Sequence, residues 1–157
     1  MRIYIPATGV DIGRDALLPR TVHAVTDELR DLLPGDVEEV LEAVAMNAAT
    51  DESLRVLAAL AASGETVYPL RVVIAAEIEE GKTAHIEGDD ILPTALQLVE
   101  PVGWEDVVSF HVDDAAAAND VVLAIGGDAA ALERVTDDED LMWFDVGERG
   151  RLIEYFG

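Results

Sequence analysis

Hydrophobic and polar positions divide the chain into short apolar runs and longer stretches with helical spacing. The alternation in residues 2–7 predicts a first strand ending near Pro6, and β-branched residues predict a second strand at 21–26. The run at 70–76 has only Arg71 as a polar residue, which is typical of a central strand covered on both faces. Further apolar runs predict strands at 83–86, 95–99, 107–112 and 141–144.

Helical spacing is clearest over residues 36–62, where apolar side chains recur on one face. Asp36 followed by Glu39 resembles a capping box at the start of this helix, and the polar stretch 50–52 is a candidate interruption. Other helices are predicted after Val10, after Thr26 as N-cap, after Asp113 or Asp114 as N-cap, and after Asp128. The tail beyond residue 144 is either a short amphipathic helix or a hairpin partner.

These elements predict the α/β (α+β) class. We expect a single domain over residues 1–157, with a mixed β-sheet of about five or six strands flanked by helices. The chain shows no internal repeat, low-complexity linker or break in composition. The order of the strands does not follow from the pattern.

Acidic residues dominate the charge, with 33 Asp and Glu against 10 Lys and Arg, a formal net charge of -23. Such a field repels nucleic acid and anionic lipid and attracts cations or basic protein faces. We therefore expect no direct nucleic-acid binding, no membrane association, and a basic protein or a cation as partner, with the oligomeric state left open. GC-rich coding or salt adaptation produces the same composition, so acidity alone does not define a function.

The absence of cysteine excludes disulfides, thiolate zinc sites and thiol nucleophiles. The first residues contain neither a secretory signal nor a membrane span, so a cytoplasmic location is expected. Gly81-Lys82-Thr83 follows a strand, as in a phosphate-binding loop. However, Ala76 stands where the first glycine belongs, and glutamates would line the loop. No cofactor is predicted.

The candidate polar cluster consists of His23, His111, Asp113 and Asp114. The last three lie where a predicted strand ends beside a helix, and His23 would join them if its strand were adjacent. Imidazole and carboxylates can hold a divalent metal, but a helix cap and ordinary strand histidines explain the same residues, so no metal ligand is assigned. Ser109, His111 and Asp113 alternate on one face, about 6.5 Å apart at each step, which is too far for a nucleophilic triad.

Several phrases of the sequence resemble a family of uncharacterised actinobacterial proteins, a domain of unknown function. They are MRIYIPAT at the start, HAVTDELR at 23–30, the long helix near 36–62, RVVIAAEI at 71–78, SFHVDDA at 109–115 and LMWF at 141–144. The resemblance implies a small cytoplasmic actinobacterial protein and carries no catalytic residues over.

Three functions remain open, in descending order of preference. The first is a non-enzymatic binding or interaction module, because no nucleophile, base or phosphate loop assembles in the sequence. The second is a small metal-assisted or acid/base enzyme that uses His111, Asp113 and Asp114 with His23. The third is an acidic mimic of nucleic acid, which would need its carboxylates in rows, whereas here they are scattered.

Overall fold

A seven-stranded antiparallel sheet forms the centre of the fold in the computed structural model, which describes residues 1–156. The strand order is β4-β5-β2-β1-β3-β6-β7, and every neighbouring pair is antiparallel. The strands are β1 (Arg2–Ala7), β2 (Thr21–His23), β3 (Val72–Glu77), β4 (Thr83–Ala84), β5 (Ala95–Leu98), β6 (Val107–Asp113) and β7 (Leu141–Asp145).

Six α-helices connect and flank these strands in the described part of the chain. They are α1 (Gly9–Ile12), α2 (Asp27–Leu32), α3 (Glu38–Ala62), α4 (Ala118–Ile125), α5 (Ala129–Asp138) and α6 (Arg149–Phe156). The predicted α/β class, with one sheet flanked by helices, is confirmed. The sheet has seven strands rather than about five or six. It is antiparallel throughout because consecutive strands that run in the same direction, such as β2 and β3, are separated in the sheet by a strand of the opposite direction. The tail is a helix and not a hairpin partner.

The N-cap predicted at Thr26 is confirmed, and the helix predicted after Asp128 also begins with a side-chain cap. Thr26 accepts a hydrogen bond from the backbone N–H of Leu29, and Asp128 caps α5 in the same way. The capping box predicted at Asp36 is wrong, because α3 begins after Val37, whose side chain cannot cap. The first turn of α3 is held instead by an ion pair between Glu38 and Arg30 of α2. The Glu38 carboxylate accepts two hydrogen bonds, of 2.8 and 2.9 Å, from the guanidinium of Arg30.

The two faces of the sheet carry different cores. One face bears the large apolar side chains of the central strands, which pack with α1 and α6. On the other face α3 lies over β2, β1 and β3, where its Ala45 and Ala49 contact Val73 and Ala75. Small residues on both surfaces let the helix approach the sheet closely. The C-terminal half of α3 also packs with α4 and α5.

Helix α3 runs without interruption through residues 50–52, and Ser53 fastens it to the sheet. The hydroxyl of this fully buried serine donates to the carbonyl of Ala7 at 2.7 Å and accepts from the N–H of Val72 at 3.0 Å. Ala7 and Val72 face each other across β1 and β3. One side chain therefore joins the helix to the ends of both central strands. No helix within residues 1–156 is long and apolar enough to cross a membrane.

Candidate binding site

The ion pair of Arg71 and Asp113 lies where β3 begins and β6 ends. Val72 pairs with Val112 in the sheet, so Arg71 and Asp113 stand opposite each other one residue further along. The carboxylate accepts three hydrogen bonds from Arg71, from the backbone N–H at 2.7 Å, from Nε at 2.9 Å and from Nη2 at 2.7 Å. Both side chains are almost completely buried, at 3% and 0% exposed. Such a pair avoids the cost of burying either charge alone.

A cavity of about 500 Å³ opens above this pair, between α3, the end of α5 and the start of β7. We call it the acidic cavity. Asp51 and Asp140 are exposed at its edge, and Glu139 is half-buried. Its lining is completed by Met46, Asn47, Thr50, Arg71, Thr136 and Leu141. The cavity thus combines three carboxylates and several neutral polar groups with one buried guanidinium.

One nitrogen of the Arg71 guanidinium, Nη1, makes no hydrogen bond to the described residues. Nη2 donates to Asp113 and to the backbone carbonyl of Glu139 at 3.0 Å, and Nε also donates to Asp113. Nη1 donates to none of the residues that the structure describes. No buried side-chain nitrogen or oxygen in this part of the chain lacks a partner, so Nη1 is not sealed in the protein. Of the described cavities, Arg71 lines only the acidic cavity, which is therefore the space available to Nη1.

His23 is fully buried and lies under α3. Its Nδ1 is 2.8 Å from the hydroxyl oxygen of Thr94, and its Nε2 is 3.2 Å from Oε1 of Glu52. Both ring nitrogens are therefore occupied by partners from the protein. The Glu52 carboxylate is also 3.9 Å from the guanidinium of Arg55, and it borders a small cavity of about 210 Å³ beside β5.

His111 lies on β6, on the α3 side of the sheet but beyond the strands that α3 covers. Its Nε2 is 3.1 Å from the hydroxyl oxygen of Ser109. The prediction that these two side chains are too far apart for a hydrogen bond is therefore wrong. The pKa of His111 is lowered from its ordinary value because burial disfavours the charged ring, and the Arg2 guanidinium adds repulsion. No triad forms with Asp113, because that carboxylate is bound by Arg71.

The four residues of the predicted cluster do not converge. β2 and β6 are separated by β1 and β3, which puts about 14 Å of sheet between the strands of His23 and His111. Asp113 is in the ion pair, and Asp114 caps the 3-10 turn at 115–117 by accepting from the N–H of Ala116 at 2.9 Å. Among residues 1–156, no three His, Asp or Glu side chains are grouped as metal ligands would be.

The acidic cavity was missed by reasoning from the sequence, although two signals pointed to it. Arg71 is the one charged residue in an otherwise apolar run, and a charge in such a position requires a buried partner. Asp51 is a charged residue in the middle of the longest helix, where it marks a side of α3 that does not face the core. Neither signal identifies the partner strand, because that depends on the order of strands in the sheet.

An antiparallel α/β sheet protein with a polar cavity beside its buried ion pair is the class that these observations define. The chain belongs to the Family of unknown function (DUF6912), whose model matches residues 1–153. No curated protein and no solved structure matches it.

Proposed function

We propose that the protein is a non-enzymatic binding module whose acidic cavity takes a cationic group from its ligand or partner. The main support for this proposal is the cavity itself, where Asp51, Glu139 and Asp140 line a space of about 500 Å³. This volume falls within the roughly 300–1,000 Å³ of ordinary ligand sites.

Electrostatics support a cation over an anion. The positive charge of Arg71 is balanced by Asp113, so the remaining carboxylates decide the sign of the potential in the cavity. The net charge of -23 adds a field of the same sign, which raises the local concentration of cations. An organic cation fits the spread-out carboxylates better than a bare metal ion, which needs its ligands within a few ångströms of one point.

The test is a calorimetric titration of the full chain with n-butylguanidinium, using neutral n-butylurea of nearly the same shape as the control ligand. We expect saturable binding of the cation only. An Asp51→Asn, Asp140→Asn double variant should weaken it about thirtyfold, because each of the two lost charges removes about 1 kcal/mol at 4 Å in water. The matched control is Asp31→Asn, Asp36→Asn, which changes the net charge equally at exposed positions on and after α2.

Two results would count against the proposal. If n-butylguanidinium does not saturate the protein, the cavity does not bind cations. If both double variants weaken binding equally, the attraction comes from the overall charge and not from the cavity.

One observation favours the alternative of a small acid/base enzyme, namely the contact between Ser109 and His111. A neutral histidine beside a hydroxyl can act as a general base, and the lowered pKa of His111 keeps it neutral. Against this, Ser109 is only 3% exposed. A serine-reactive phosphonate probe distinguishes the two functions. Labelling that is lost in Ser109→Ala would establish the enzyme, and the binding module predicts no labelling.

We also propose that the protein is cytoplasmic and of actinobacterial origin. The resemblance described from the sequence supports both statements, and a chain without cysteine suits a reducing compartment. Fractionation of cells that express the protein, followed by immunoblotting, tests the location.

A further inference from the structure

The unused Nη1 of Arg71 gives the acidic cavity a hydrogen-bond donor on its floor. The side chain is 97% buried, since only 3% of it is exposed, and its other nitrogens hold it rigidly against Asp113 and the carbonyl of Glu139. The donor therefore has a fixed position and little access to bulk water. A donor that opens onto a cavity and has no protein partner gains a hydrogen bond when a ligand supplies an acceptor there.

The acceptor that suits this donor is neutral. Arg71 and Asp113 together carry no net charge, and Asp51, Glu139 and Asp140 surround the space above them. A carboxylate or phosphate from a ligand would be repelled by these carboxylates. A carbonyl oxygen accepts the same hydrogen bond without bringing a charge. A ligand that matches the cavity therefore has a cationic group at the cavity edge and a carbonyl oxygen at its floor.

We propose that the acidic cavity recognises an arginine residue within a polypeptide chain of a partner protein, an inference that rests on the proposed binding function. The guanidinium of the partner lies among Asp51, Glu139 and Asp140, and a backbone carbonyl of the partner accepts from Nη1 of Arg71. Arginine fits better than lysine because its planar fork of five donors can reach carboxylates that are spread apart, whereas an ammonium is a compact point charge. Asn47 and Thr50 add neutral polar groups to the same lining.

The experiment compares four probes against the full chain by calorimetry at a single salt concentration. Nα-acetylarginine N-methylamide carries the guanidinium and the carbonyls, and n-butylguanidinium has the same charge without them. Nα-acetylarginine has a free carboxylate, and Nα-acetyllysine N-methylamide replaces the fork by an ammonium. We expect the arginine amide to bind about tenfold tighter than n-butylguanidinium and several-fold tighter than the other two.

The outcomes separate this inference from the binding function on which it rests. If the arginine amide and n-butylguanidinium bind equally, the carbonyl has no role, and the inference is overturned while cation binding stands. Tightest binding of Nα-acetylarginine would show an anion site, and tightest binding of the lysine amide would rule out the preference for arginine. If none of the four binds, the proposed function itself fails.

Nitrogen-15 NMR of the arginine side chains supplies a second readout that needs no substitution. Because Nη1 of Arg71 would gain an acceptor, its resonance should shift with the arginine amide and stay unchanged with n-butylguanidinium. A shift of the same size with both probes would contradict the assigned contact.

Discussion

Replacing Asp113 by asparagine should be one of the most damaging conservative substitutions in this protein. The carboxylate accepts three hydrogen bonds of 2.7 to 2.9 Å from Arg71, and neither side chain is more than 3% exposed. Asparagine keeps the shape but leaves the guanidinium charge buried without a counterion. Breaking a buried ion pair in this way costs about 3–5 kcal/mol. In a domain of this size that corresponds to a melting temperature lowered by roughly 10 °C.

The measurement is urea denaturation followed by circular dichroism, with thermal unfolding as a second readout. Asp120→Asn is the matched control, because Asp120 pairs with Arg134 at the surface, where the side chains are 25% and 45% exposed. Surface pairs contribute at most about 1 kcal/mol. A double variant, Arg71→Met with Asp113→Leu, removes both charges and should be more stable than Asp113→Asn. If Asp113→Asn lowered the free energy of unfolding no more than Asp120→Asn does, the stabilising role of the pair would be refuted.

Three further substitutions test other parts of the fold. Ser53→Ala should lower the free energy of unfolding by about 2 kcal/mol, because it leaves buried backbone groups without their partner, and denaturant unfolding measures this. The lowered pKa of His111 means that the unfolded chain binds more protons below about pH 6.5, so His111 destabilises the fold as the pH falls from 7.5 towards 5. His111→Asn should therefore lose less stability than the native chain over this range, and equal losses would contradict the reasoning. Gly9→Ala should destabilise by about 1–3 kcal/mol, because its Cβ would collide with the Phe156 ring, whereas Gly13→Ala meets only ordinary contacts and is the control for thermal unfolding.

Local signals made much of the fold predictable. The cap of α2 at Thr26 and the cap of α5 at Asp128 depend only on residues within one turn, so the sequence is sufficient to place them. A short strand was predicted at 83–86, and β4, at Thr83–Ala84, lies at one edge of the sheet. The start of α3 was placed wrongly at Asp36, because the competing anchor is a pair between Glu38 and Arg30, eight residues away on another helix.

The sites could not be predicted in the same way, because each depends on contacts between distant parts of the chain. Asp113 was noted as a cap or a metal ligand, yet its partner Arg71 is 42 residues earlier and is brought opposite only by the pairing of β3 with β6. His23 was expected to be a packed, hydrogen-bonded strand residue or part of a two-histidine site. Its partners Glu52 and Thr94 come from α3 and the segment before β5, which only the folded arrangement reveals.

Three consecutive residues of α3 serve three different surroundings. Asp51 borders the acidic cavity, Glu52 contacts His23 on the far side of the helix, and Ser53 is anchored in the sheet. Successive side chains of a helix diverge by about 100°, which makes this division possible. Because α3 is one continuous helix, a rotation that displaces Asp51 at the cavity edge also moves the Glu52 carboxylate beside His23. The acidic cavity and the surroundings of His23 are therefore coupled through the movement of one helix, although about a helix diameter separates them.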